Sequence, residues 1–265
     1  MIHRVSRRFT ALAALALLAA CGNGAAKEQE AEVASEEAKP KLGLFTTLPI
    51  YWGEAGDIAS MLNSETKVDW VRAELEKEFE IVPLDTLEAE ALEGLDRVLL
   101  AQPRPLAPSE NVAFERFLTK GANAVIMADP MLTRHSEFGI GDRRRPQDVV
   151  LLSPILGRLG VDLQFDESQP EGERIISHSE YDFPVNLAGQ FVKRNTGTVY
   201  RSCHVHGVGL LAQCVMGAGE VFLYADAAIL DWEGPEPVPE SRKTALWGIL
   251  MPLVTHPREP ADLEY

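Results

Sequence analysis

Two histidines stand two residues ahead of an acid, His135-Ser136-Glu137 and His178-Ser179-Glu180, and a thiol and two imidazoles cluster at Cys203, His204 and His206. A His-x-Glu spacing suits a carboxylate that orients an imidazole, which in turn activates a nucleophile. The nucleophile is the missing part. The apolar run "NAVIM" ends in Ala128-Asp129-Pro130-Met131, so this strand end presents a carboxylate. Acyl or amide transfer at such a place requires a thiol or hydroxyl on a tight, glycine-flanked turn. Cys203 and Cys214 lie inside predicted strands, where a thiol is usually buried and inert. No catalytic residue is assigned, and the two His-x-Glu sets read as polar loop residues.

Metal chemistry is tested by the same logic. Along a strand Cys203 and His204 point to opposite faces, whereas His204 and His206 share one. Two imidazoles fall short of the three or four converging ligands of a zinc centre, so neither a metal nor a cofactor is expected. An oxidising periplasm permits a disulfide between Cys203 and Cys214, but in a hairpin turning near Gly207 the two would not face each other, so the bond is left open.

Ligand binding has a location. Open parallel sheets place their crevice at the strand carboxyl ends. Tyr51, Trp52 and Glu54 follow the first predicted strand, Asp129 the fourth and Asp226 the last, and an aromatic pair beside carboxylates suits a sugar ring with its hydroxyls. The plainer reading has Trp52 packing its loop down, Asp129-Pro130 opening a turn and Asp226 capping the helix that starts at Ala227. Arg143, Arg144 and Arg145 form the one concentrated basic spot, placed either to pair with Asp142 and Asp148 or to dock an acidic partner.

The elements that must position these residues alternate. Strands are predicted at "LGLFTT" (42–47), "FEIVPL" (79–84), "DRVLLAQ" (96–102) and "NAVIMAD" (123–129). Between them run two helices, one opened by a Thr66/Asp69 capping box and one capped by Ser109 and closed at Gly121. A further helix is expected in "VVLLSPILGRLG". Short apolar strands separated by amphipathic helices indicate a mostly parallel sheet with helices on both faces. The later segments "RIISH", "GTVYRSCHV", "GLLAQCVM" and "EVFLYAD" are strand-like, the last two joined through Gly217-Ala218-Gly219 as a hairpin, and "ALWGILMPLV" closes the chain as a helix. The fold class is therefore α/β, with an antiparallel C-terminal extension.

The N-terminus carries a different message. Residues 1–21 combine a basic start, the apolar "ALAALALLAA" and then Cys21, a signal too short to span a bilayer. Leu18-Ala19-Ala20-Cys21 resembles the lipobox of bacterial lipoproteins, which implies cleavage before Cys21 and a lipid on it. Ser6-Arg7-Arg8-Phe9 hints at a twin-arginine signal. Gly22 is not the aspartate associated with inner-membrane retention, so the resemblance implies outer-membrane delivery. Residues 22–40 are acidic and nearly devoid of large apolar side chains, as a solvated tether would be, and 41–265 form a single domain. The formal net charge of -15 argues against nucleic acid and against electrostatic adhesion to anionic lipid. Attachment to the membrane then rests on Cys21, with the domain in the cell envelope facing the periplasm.

"LGLFTTLPIYWGE", "LAPSENVAFERFLTKGANAVIMADPML" and "GAGEVFLYADAAILD" together resemble the soluble domain of the gliding-motility type auxiliary components of ABC transporters, within the class I glutamine amidotransferase-like fold. The resemblance spans roughly residues 41 to 232 and implies an accessory or ligand-binding role beside an ABC-type transport system or another envelope protein. The C-terminal membrane anchor of some such components has no counterpart here, and Cys21 takes that place. The alternative is a hydrolase or glycan-processing enzyme using Glu54, Asp129 and Asp226.

Overall fold

The computed structural model describes residues 38–53, 68–194, 201–232, 234 and 237–255. Cys21 and Glu54 lie outside the described residues, as does Thr66. The strands are β1 (Lys41–Thr46), β2 (Glu80–Pro83), β3 (Arg97–Ala101), β4 (Asn123–Met127), β5 (Val161–Gln164), β6 (Arg174–His178), β7 (Tyr181–Val185), β8 (Gln190–Lys193), β9 (Arg201–His206), β10 (Leu211–Met216) and β11 (Gly219–Tyr224). The α-helices among the described residues are α1 (Trp70–Glu78), α2 (Pro108–Thr119), α3 (Ser153–Leu159) and α4 (Glu240–Val254).

Seven strands form one sheet in the order β2-β1-β3-β4-β11-β10-β9. The pairs β1–β2, β1–β3, β3–β4 and β4–β11 are parallel, and β11–β10 and β10–β9 are antiparallel. The fold is thus α/β, a mostly parallel sheet with an antiparallel extension at its C-terminal side. Every residue of β3 and β4 is buried, which requires cover on both faces of the sheet and explains the apolar runs that follow Arg97 and Asn123 in them. Two small antiparallel pairs, β5–β8 and β6–β7, lie outside the main sheet.

Several local expectations change. Helix α1 is capped by Asp69, whose carboxylate accepts the Val71 N–H at 2.8 Å, and Val68 stays outside it, 51% exposed. Helix α2 starts two residues earlier than a Ser109 cap would give: Ala107 is the N-cap, Pro108 follows, and the Glu110 carboxylate accepts the Ala107 N–H at 2.7 Å. Ser109 instead donates to Glu88. The helix predicted across 149–160 is confined to Ser153–Leu159.

At the cysteines the structure corrects the hairpin register and decides the bond that the sequence left open. The β9–β10 connection centres on Val208 and Gly209, so the register places Cys203 opposite Cys214, and the two form a disulfide with Cα atoms 4.1 Å apart. A turn assigned to Gly207 alone slides one strand against the other, and a slip of that kind alters every cross-strand partner. The β10–β11 hairpin does turn at Gly217, where φ is +64° and a side chain would be strained.

Helix α4 finds partners on the sheet that sequence patterning did not reveal. Buried Arg97 donates to the Leu253 carbonyl at 2.6 Å and Asn123 to that of Pro252 at 3.1 Å, satisfying carbonyls left open at the helix end.

Candidate functional site

The sheet reverses its strand order at β1, the place where open α/β sheets form their crevice. Here that place is filled by hydrogen bonds of the protein itself. Gln102, directly after β3, adopts φ +44°, an uncommon left-handed conformation for a residue with a side chain. Its carbonyl accepts from the Thr47 hydroxyl at 2.5 Å, and its amide Nε2 donates to the carbonyls of Asp129 at 3.0 Å and Gln147 at 2.8 Å. Its Oε1 accepts the Asp129 N–H at 2.9 Å. Gln102 is fully buried, so its positive φ is held by these four hydrogen bonds. Asp129, at the end of the next strand over, is the residue that the sequence offered at the corresponding place, and a positive φ at a glutamine leaves no trace in hydrophobic patterning. Neither position holds a thiol or hydroxyl.

Asp129 and Asp226 end the neighbouring strands β4 and β11 and are brought together, both with no exposed surface. Asp129 accepts the Met131 N–H at 2.8 Å, closing a turn, and the Ala227 N–H at 3.1 Å. Asp226 accepts the Asn186 N–H at 2.9 Å and the Ala228 N–H at the start of a short 3-10 turn. Four main-chain donors therefore converge on two carboxylates, and they oppose a large desolvation cost. Burial pushes Asp129 up to about 7. Burial, and then the charge of Asp129, pushes Asp226 well above the usual carboxylate range. The Tyr224 hydroxyl is raised in turn, by burial first and by Asp226 second.

The aromatic pair goes elsewhere. Trp52 is 76% exposed, so it does not pack its loop down. Tyr51 sits edge-on to Trp52 at 4.8 Å and lies under the Arg72 guanidinium at 4.3 Å, with its carbonyl accepting from the same arginine on α1. Among the described residues no hydrogen bond or ring contact joins Tyr51 or Trp52 to either aspartate.

A different set lines the strand-end crevice beside Asp226. A concavity of about 270 Å3 is bounded by Thr133, Glu173, Asn186, Asp231, Trp232 and Arg242, among others. Buried Arg242 donates to the carbonyls of Ala228 and Ile229, pairs with Glu173 and lies 5.1 Å from the Trp232 ring centroid. Arg134 pairs with Asp231 at 3.1 Å, and Asn186 donates to the Thr133 hydroxyl at 3.0 Å. Asp226 holds Asn186 and Ala228 by their main-chain N–H groups, so it sets the back wall of the crevice without opening onto it. The crevice presents hydroxyl, amide and carboxylate groups beside one indole. Trp232 and Asn186 carried no signal in the sequence, because the loops that bring them together are far apart in the chain.

Of the basic spot, Arg144 pairs with Asp142 at 2.8 Å and stacks over Phe138, Arg145 pairs with Asp148 at 2.8 Å, and Arg143 is exposed. Two of the three charges are matched within the loop. Among the described residues no group of three His, Cys, Asp or Glu side chains stands ready to hold a metal ion, and no helix is long and apolar enough to cross a membrane.

Neither a protein-family model nor a curated protein sequence matches the chain. Among solved structures it is similar to the mmIFT52 N-terminal domain at 12% identity, over 86% of this chain and 100% of that one, with a TM-score of 0.52. That likeness shows the fold. The exo-beta-1,4-mannosidase Op5Man5 from Opitutaceae bacterium strain TAV5 aligns at 11% identity over 73% of this chain and 32% of its own, with a TM-score of 0.42. A beta-galactosidase from Bacillus circulans sp. alkalophilus aligns at 13% identity over 83% and 32%, with a TM-score of 0.44. At these scores the two enzymes carry no inference for this chain.

Proposed function

We propose that this chain is a lipid-anchored protein of the cell envelope that binds, without transforming, a small hydroxyl-rich ligand at its strand-end crevice. Its role is accessory, beside an ABC-type transport system or another envelope protein. The lipobox at Cys21 and the tether support the anchoring, and the resemblance to transporter auxiliary components supports the setting. The observation that carries the binding role is the crevice: Asn186, Thr133, Glu173, Asp231 and Trp232 converge on one concavity of about 270 Å3, just under the usual range for a ligand pocket and on the scale of a single sugar ring. Its back wall is fixed by Asp226.

The alternative, a hydrolase using strand-end carboxylates, has one observation in its favour. A carboxyl at about 7, as Asp129 has, is suited to general acid catalysis. Asp129 and Asp226 are fully buried and their oxygens are taken by main-chain N–H groups, so no substrate atom reaches them in this arrangement.

Crosslinking of the anchored protein in intact cells, with Cys21→Ala as a mislocalised control, tests the setting. Capture of a permease or ATPase complex that disappears in the control supports the accessory role; capture that is unchanged in the control removes the anchor from the account.

A further inference from the structure

A larger concavity lies at the end of the sheet opposite the crevice. It runs between helix α2 and the loop that leads into β3, and reaches the Gly121-Ala122 turn before β4. Its volume is about 1270 Å3, above the range of a pocket for a small ligand. Residues of α2 line it from Pro108 to the last turn, so it is as long as the helix. A three-turn helix, taken as a cylinder about 10 Å across and about 18 Å long, occupies roughly 1400 Å3, so the groove has the size of α2 itself. The floor is apolar: Leu92 is buried, Leu95 and Phe117 pack half-buried against the core, and Phe117 stacks on Phe114 with ring centroids 6.2 Å apart. Glu90 and Glu93 are exposed on the loop bank, and Arg116 and Lys120 on the helix bank. Among the described residues none of these four side chains has an ion pair or a hydrogen bond. Val112, Arg116 and Lys120 follow one another at four-residue spacing, and all three also line a second concavity of about 450 Å3 on the other flank of the helix. Helix α2 therefore stands as a ridge between two hollows, with these residues on its crest.

We propose that this face is the interface of a homodimer, in which the α2 ridge of each copy seats in the groove of the other. A contact between identical copies closes on itself only where the surface is complementary to itself. Here a ridge and a groove of its own size lie side by side, and a twofold axis parallel to α2 places ridge in groove twice. The charges match in the same arrangement. Arg116 and Lys120 of one copy meet Glu90 and Glu93 of the other, and Val112, 38% exposed, covers the apolar floor. On a chain of formal net charge -15 two copies repel at a distance, so a basic ridge set against an acidic bank supplies the local attraction that orients them. The interface lies at the opposite strand ends from the crevice and does not rest on the ligand-binding reading.

The test is sedimentation velocity of the full chain in mild detergent, over a range of protein concentrations and at low and high salt. Two charge-reversed variants are compared with the parent, one carrying Arg116→Glu with Lys120→Glu and the other Glu90→Lys with Glu93→Lys. All four residues are exposed, so their substitution leaves the fold intact, and circular dichroism confirms it. The parent is expected to be a dimer at low salt and to dissociate more readily at high salt. Each variant alone sets like charges against each other in both halves of the contact, and its dissociation constant is expected to rise at least about tenfold. An equimolar mixture of the two variants restores opposite charges in both halves, and a heterodimer of affinity close to that of the parent is expected. A parent that stays monomeric at every concentration, variants that dimerise as the parent does, or a mixture that stays monomeric overturns the interface. Association through the apolar N-terminal segment is indifferent to these four charges and gives the second of those results.

Discussion

The side-chain amide of Gln102 clasps the main chain of Asp129 from both sides, accepting its N–H at 2.9 Å and donating to its carbonyl at 3.0 Å. One buried side chain thereby prolongs the pairing of β3 with β4 past the last ladder residue, Met127. It fixes where the Asp129 carboxylate stands, and so where the carboxylate of Asp226 and the wall of the crevice stand.

Replacing Gln102 with alanine leaves the Asp129 N–H and the Asp129 and Gln147 carbonyls buried without these partners. Each such group costs about 1 to 3 kcal/mol, and the variant is expected to lose about 2 to 4 kcal/mol against denaturant at an unchanged m-value. A loss below about 0.5 kcal/mol would mean that other groups take over the clasp.

The pH dependence of stability has a definite sign at the aspartate pair. Asp129 is raised to about 7 from an ordinary value of 3.8, so its protonated form is favoured on folding. That contribution is full below the unfolded value and is lost as pH rises through about 7. Asp226, shifted the same way, adds to it. Glu110 runs the other way: hydrogen bonds from Arg104 hold it at about 2, and its contribution is lost only as pH falls toward that value. Between about pH 5 and about pH 8 unfolding free energy should therefore fall, by up to about 1.4 kcal/mol per pH unit for each proton released. Asp129→Asn should flatten this slope. Denaturant titrations across that interval check it, and a profile rising with pH would contradict the arrangement of the pair.

Glu110 anchors a second buried network. Its carboxylate accepts both terminal nitrogens of Arg104, at 2.8 and 2.7 Å, together with the Thr86 hydroxyl and the Leu87 and Ala107 N–H groups. Glu110→Ala removes the charge on which five donors converge. A loss of about 2 to 4 kcal/mol is expected, below the upper end for fully buried pairs because Arg104 is partly exposed. Thermal unfolding of the variant at neutral pH measures it.

Much of the scaffold was legible in the sequence, because β1, β3 and β4 are short apolar runs between polar segments and the Gly217 turn marks a hairpin directly. The strands β5, β7 and β8 were not legible. They form two-stranded pairs with half-exposed faces, and β7 contains Pro184, so neither alternation nor composition distinguishes them from loop. The site was legible only in its carboxylates. Asp129 and Asp226 follow apolar strands and could be placed at the strand ends by order alone. Their burial, the Gln102 clasp and the convergence of Asn186, Thr133 and Trp232 arise from long-range contacts that no local pattern encodes. The cysteine register failed for a related reason: the connection from His206 to Leu211 was assigned a turn at Gly207, but its centre lies between Val208 and Gly209.

Opening the Cys203–Cys214 bond should lower stability by about 2 to 3 kcal/mol, the scale for a cross-link closing a short loop. Reduced and oxidised protein compared by denaturant titration give the value directly. Mass measurement after thiol alkylation should show both sulfurs protected in protein recovered from an oxidising compartment and free after reduction.

The most direct test of the central claim is calorimetric titration of the folded protein with a panel of mono- and disaccharides, with each sugar recovered afterwards and analysed. The account predicts binding of at least one sugar, its recovery unaltered, and loss of the binding heat in Trp232→Ala and Asn186→Ala variants that keep the parent circular dichroism spectrum. Absence of binding across the panel, or recovery of a cleaved sugar, would contradict it.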